Sequence, residues 1–269
     1  MMRIKSTFNE LKEKNKAALV TYITAGDPNL NITKDIIVEL EKSGADIIEL
    51  GIPFSDPMAD GPAIQLASER AIENGTTLTK ILKLVTEIRK KTDIPIILFG
   101  YYNPFYIYGL NKFAKDAKKA GVDGVLVVDL PPEESSEFKK HLDRHELDLV
   151  FLLAPTSTEQ RIKLVTAKGS GFIYLVSLTG VTGARPGMSY SLEPLITEIK
   201  RYSDLPVGVG FGVSSAKQAA DLSVYSDAVI VGSALVRIIE KNGDNKKAVL
   251  KEMGDFTKKL SKACYRASS

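Results

Sequence analysis

The 269-residue chain sets 36 lysines and arginines against 33 aspartates and glutamates, for a net charge of +3, and is 44% hydrophobic. So small and dispersed a charge argues against a nucleic-acid or anionic-membrane partner and points to a small molecule or a protein. The single cysteine, Cys264, excludes an internal disulfide and fits a reducing compartment, and no window approaches the roughly 20 apolar residues of a membrane span.

Residues 1–16 mix charges with Ile4, Phe8 and Leu11 at helical spacing, which predicts an extra amphipathic helix rather than a secretory signal, in a soluble cytoplasmic protein. Runs rich in Val, Ile and Leu then predict strands over 18–24, 46–50, 94–101, 124–128, 149–153, 172–176, 206–210 and 228–231. Amphipathic patterns between them predict helices over 32–42, 110–120, 133–144, 158–167, 192–201 and 214–222. The second unit carries two helices, 63–73 and 78–91, and the last unit continues past Asn242-Gly243 into 246–262. An open doubly wound sheet also alternates strands and helices. Eight units in a chain of this length favour an α/β fold of the (β/α)8 barrel type, a TIM barrel with an extra N-terminal helix, as one domain over 1–269.

In a barrel, strand ends and the loops after them share one rim. The second strand ends on Glu49, and a loop stiffened by proline and glycine returns Asp60 just before a helix. Alternation places Ile47 and Glu49 inside and Ile48 and Leu50 against the helices, so Glu49 stands in a largely apolar pore that should raise its pKa. A catalytic acid competes there with a structural carboxylate tied to a backbone donor or a cation. For Asp60, which precedes Gly61-Pro62-Ala63, helix capping and catalysis are both open.

Later strand ends supply glycines at Gly180-Val181-Thr182-Gly183, at Gly210-Phe211-Gly212-Val213-Ser214-Ser215 and at Gly232-Ser233. Backbone amides there, with the positive end of a short helix, form an anion site, although each element alone is also ordinary turn and cap chemistry. Residues 177–190 read as a long loop, either a closing lid or a mobile surface segment. Tyr22, Phe99, Tyr101, Leu126, Val128, Leu152, Tyr174 and Phe211 fall at or near strand ends, where they either line a pocket for a flat ring or pack the upper core. His141 and His145 share a helix face without a third ligand, so no metal is assigned.

The run Glu49-Leu50-Gly51 followed by Pro53-Phe54-Ser55-Asp56-Pro57-Met58-Ala59-Asp60-Gly61-Pro62 closely resembles the signature of the tryptophan synthase alpha subunit family. The likeness extends from the N-terminal helix through Ala25-Gly26-Asp27-Pro28 to Gly232-Ser233. It implies a lyase that cleaves indole-3-glycerol phosphate by a retro-aldol step to indole and glyceraldehyde 3-phosphate, in tryptophan biosynthesis, with no cofactor in this subunit. On that pattern Glu49 shuttles the proton and Asp60 bonds the indole N–H. Gly183, Gly212, Gly232 and Ser233 hold the phosphate, Tyr174 lines the reacting end, and Thr182 bonds Asp60 as the lid closes. Phe211, Tyr101, Leu126 and Tyr22 surround the ring.

The resemblance also implies a beta subunit that uses pyridoxal phosphate and receives indole within an alpha2beta2 heterotetramer, facing Asp56, Pro57, Asn103, Pro104 and Pro131. The chain departs from the pattern at Leu178, where some members carry arginine, and at Tyr22, where many carry phenylalanine. Rival readings are a lyase acting alone, a phosphosugar-binding subunit without catalysis of its own, and another phosphate-binding barrel such as a sugar-phosphate isomerase.

Overall fold

The computed structural model describes residues 2–176, 192–210 and 212–266. Eight parallel strands close into a barrel in chain order. They are β1 (Ala18–Thr24), β2 (Ile47–Gly51), β3 (Ile96–Gly100), β4 (Gly124–Val127), β5 (Asp148–Leu153), β6 (Ile173–Val176), β7 (Val207–Gly210) and β8 (Ala228–Val231). The helices that matter for the site are α1 (Arg3–Glu13), α2 (Leu30–Lys42), α3 (Pro62–Glu73), α4 (Leu78–Ile88), α5 (Tyr102–Tyr108), α6 (Leu110–Ala120) and α7 (Ser136–Arg144). They are followed by α8 (Glu159–Lys168), α9 (Glu193–Lys200), α10 (Ala216–Ser223), α11 (Ser233–Asn242) and α12 (Lys246–Ala263).

The strands are apolar on both faces because each face has a different partner. Inward residues such as Val20, Ile47, Ile97, Leu126, Val150 and Phe172 form one buried cluster, while outward ones such as Ile48, Leu50 and Leu98 join the larger core beneath the helices. Helix α1 belongs to the inner cluster. Its Ile4, Phe8 and Leu11 stack on one face at helical spacing, and the Phe8 ring lies 5.9 Å from Phe172. The extra helix thus plugs the N-terminal mouth of the barrel and leaves the opposite rim as the open end.

Three aspartates lace the closed end. Asp46, Asp123 and Asp227 each stand just ahead of a strand and accept the backbone N–H of Leu19, Ile96 and Val207 at 2.7, 2.8 and 2.9 Å. Each carboxylate therefore bridges two neighbouring strands, and each also has a cation: Lys16 for Asp46, Lys200 for Asp227, and both Arg89 and Arg3 for Asp123, at 2.7 and 3.0 Å. Asp123→Ala should lower stability by about 2–4 kcal/mol, because it leaves Arg89 without its charge partner and the Ile96 amide without an acceptor. Urea unfolding would measure the loss.

One helix was not expected from the sequence. Helix α5 occupies a stretch whose tyrosines and Pro104 read as a rim loop, so Asn103 and Pro104 lie in its first turn. Long-range packing supplies what local propensity does not: Phe105 is fully buried with its ring 4.7 Å from Phe113 and 5.5 Å from Phe138. Helix α7 starts later than the pattern suggests, since Ser135 spends its hydroxyl on the Pro132 carbonyl in the turn before it.

Candidate active site

Strand β2 delivers Glu49 into the barrel. Its register neighbours are Tyr22 on β1 and Ile97 on β3, with Ile47 one inward step below. The carboxyl group is 1% exposed, and among the described residues Oε1 has no hydrogen-bond partner and no cation pairs with the side chain. Among the described residues, no donor or cation ties it down as a structural carboxylate. Burial alone drives its pKa from the ordinary 4.5 to about 8, so the group is largely a neutral acid at pH 7.

Asp60 comes from the loop between β2 and α3. Gly61, not Asp60, holds the cap position of α3, no side chain caps that helix, and Pro62 opens its first turn, where a missing N–H is tolerated. The capping alternative therefore does not hold: the Asp60 carboxylate is aimed elsewhere. Its Oδ2 accepts from the Tyr101 hydroxyl at 3.1 Å, and its backbone carbonyl accepts from Gln65 Nε2 at 2.8 Å. Burial raises its pKa to about 6, with the Tyr101 bond pulling the other way. The two acids thus differ in environment. Asp60 is mostly ionised at a pH where Glu49 is mostly not.

Both carboxyl groups line one cavity of about 280 Å³ at the open rim. Tyr22, Phe99, Val128, Leu152 and Tyr174 supply apolar wall, and Tyr22 meets Phe99 edge to face at 5.2 Å. A side chain at Gly51 would collide with the Tyr22 hydroxyl, which bonds Thr24 instead, so a glycine at the end of β2 makes room for this ring. Two expected wall residues sit elsewhere. Leu126 is fully buried in the interior cluster, opposite Phe99 in the register and off the cavity wall, because its strand position lies one layer deeper. Tyr101 is 3% exposed, stacked on Phe54 at 5.2 Å, and turns its hydroxyl to Asp60 instead of presenting a face to the cavity.

Gly212, Gly232 and Ser233 border the same cavity. Gly212 has a φ of 72°, a left-handed conformation suited to glycine. Helices α10 and α11 differ at their starts. Ser215 caps α10 through the Gln218 amide, whereas α11 begins at Ser233 behind Gly232 with no side-chain cap. The first turn of α11 therefore has no side-chain acceptor for its backbone amides. Thr182, Gly183, Phe211 and Leu178, with the rest of 177–190, lie outside the described residues.

Sequence reasoning did not single out Ile64, Ala59, Gly61, Val176 or Ile230, which also line the cavity. Of these, Ile64 had a readable signal, an apolar residue in the first turn of the helix after Asp60. Among the described residues, no group of three or more His, Cys, Asp or Glu could hold a metal, and His141 on α7 leaves Nδ1 buried without a partner.

Comparison with known proteins decides the family. The chain matches the family described as Tryptophan synthase alpha chain over residues 8–265. It belongs to that family. A Geotalea uraniireducens tryptophan synthase alpha chain is 58% identical over 241 residues, covering 90% of each protein, and one from a Geobacter species is 51% identical over 268 residues, covering all of both. Among solved structures, tryptophan synthase subunit alpha from Legionella pneumophila superposes with a TM-score of 0.89 at 39% identity, covering 98% of each chain. The alpha-chain reaction is the cleavage of indole-3-glycerol phosphate to indole, so the protein is a carbon–carbon lyase of tryptophan biosynthesis.

Proposed function

We propose that Glu49 and Asp60 divide the work of indole-3-glycerol phosphate cleavage between them. Indole is a poor leaving carbanion until its ring carbon is protonated, which makes the ring an electron sink. Neutral Glu49 donates that proton to the ring carbon bearing the side chain. Asp60, as a carboxylate, accepts the ring N–H and stabilises the positive charge that develops on nitrogen. Glu49, now ionised, takes the proton of the neighbouring side-chain hydroxyl as the carbon–carbon bond breaks; the bond's electrons return to the ring, and an aldehyde forms. The proton count closes, and Glu49 ends neutral.

The single observation that carries this reading is that two carboxyl groups in unequal environments, one buried with an unpartnered oxygen among the described residues and one accepting from Tyr101, line the same largely apolar cavity. Gly212, Gly232 and Ser233, together with Gly183, would hold the phosphate, and Thr182 would reach Asp60. Tyr174 and Tyr22 would border the ring with Phe211. We read the whole chain as one cytoplasmic domain that assembles as alpha2beta2 with a pyridoxal-phosphate-dependent beta subunit. Exposed apolar residues on the same rim support a protein partner there: Met58, 89% exposed, follows Asp56 and Pro57, and α5 presents Tyr106 and Ile107.

The test is an assay of the purified chain on indole-3-glycerol phosphate, with and without a beta subunit. Indole and glyceraldehyde 3-phosphate should form in equal amounts in both, faster with the partner. Absence of cleavage in both would overturn the proposal.

A further inference from the structure

We propose that Tyr101 is a positioning residue of the cleavage reaction, a hydroxyl clamp that fixes which oxygen of Asp60 meets the indole N–H. The inference rests on the catalytic reading of Asp60 given above. Its geometry is a two-step chain: the Ala59 backbone N–H donates to Tyr101 Oη at 3.0 Å, and Oη donates to Asp60 Oδ2 at 3.1 Å. An amide N–H can only donate, so the hydroxyl must accept there, and its one proton is left for Asp60. With Oδ2 occupied, Oδ1 is the oxygen with no protein partner among the described residues. It is the one available to a ring N–H.

The clamp is held from outside the cavity. Tyr101 follows the end of β3, is 3% exposed and stacks on Phe54, a residue of the Asp60 loop itself, with the rings 29° apart. It therefore pins that loop to the neighbouring strand through ring and hydroxyl together. The groups facing Asp60 from the surrounding elements are Tyr22 on β1, Glu49 on β2, Tyr101 after β3 and Tyr174 on β6; Asp129 faces Tyr101 from beyond β4. Within this set the Tyr101 hydroxyl is the group that hydrogen-bonds the Asp60 carboxylate. Removing it should make Asp60 easier to protonate and free to swing.

Tyr101→Phe keeps the ring and its stack and deletes only the hydroxyl. The expected result is a fall in kcat/KM of about tenfold at pH 7 and an upward move of the acid limb of its pH profile by about one unit. Phe54→Leu, which keeps the hydroxyl but unseats the ring, should move the limb the same way by less. In an Asp60→Asn background, Tyr101→Phe should have little further effect, because the two act through one carboxylate. An acid limb that stays put in Tyr101→Phe and Phe54→Leu, or an equal loss from Tyr101→Phe with and without Asp60, would overturn the clamp and leave the role of Asp60 intact. Full activity in Asp60→Asn alone would sink both readings.

Discussion

Glu49→Gln is expected to lower the rate of indole formation by about 10³-fold, because the amide keeps the shape of the acid but can neither give nor take the proton. The same substitution should make the protein more stable, and the sign follows from burial. The folded pKa of Glu49 is raised from 4.5 to about 8, so the native state binds more protons than the unfolded chain across that window. The stability associated with the neutral carboxyl is complete below about 4.5 and is lost as pH rises through about 8. Glutamine has no such loss. The stability gap between variant and wild type should widen from mildly acidic to mildly alkaline pH, to the order of a few kcal/mol. Thermal unfolding at several pH values would measure it, and a Gln variant less stable than wild type at pH 8 would contradict the desolvated placement of Glu49.

Asp60→Asn should cost about 10²-fold in kcat/KM, since it removes a preorganised negative charge from the side of the ring where positive charge develops. The loss should be in kcat more than in KM, because that charge is absent from the bound ground state. The variant should also lose the part of the acid limb that belongs to Asp60, near about 6. The substrate's phosphate group titrates in the same range, near ~6, but it does so for both enzymes, so the difference between their profiles isolates the carboxylate.

Much of this architecture was legible in the chain because the barrel imposes two periodicities that do not interfere. Runs such as Ala18–Thr24 are apolar throughout, since a strand buried on both faces has no polar side, and the helices between them carry one apolar stripe. Alternation along β2 was enough to place Ile47 and Glu49 inside and Ile48 and Leu50 outside. Apart from the local turn that delays α7, the failures are matters of three-dimensional neighbours. Helix α5 depends on Phe113 and Phe138 from the two helices after it, contacts that no periodicity within α5 itself displays. Leu126 alternates inward as expected, but depth along the barrel axis follows from strand stagger, which the sequence does not display. The Tyr101 hydroxyl finds Asp60 across 41 positions of chain, with no motif joining them. The missing side-chain cap at α11 was readable: Gly232 stands where Ser215 stands for α10.

On the proposed reading, a neutral Glu49 and an ionised Asp60 act together over one cavity. The pH dependence of kcat/KM for indole-3-glycerol phosphate cleavage tests it most directly, since that quantity reports the ionisations of the free enzyme and its substrate. The profile should be bell-shaped, falling below about 6 as Asp60 gains a proton and above about 8 as Glu49 loses one. The two limbs belong to the interacting pair. A rate that stays level or goes on rising well beyond pH 8 would contradict a neutral Glu49 as the proton donor.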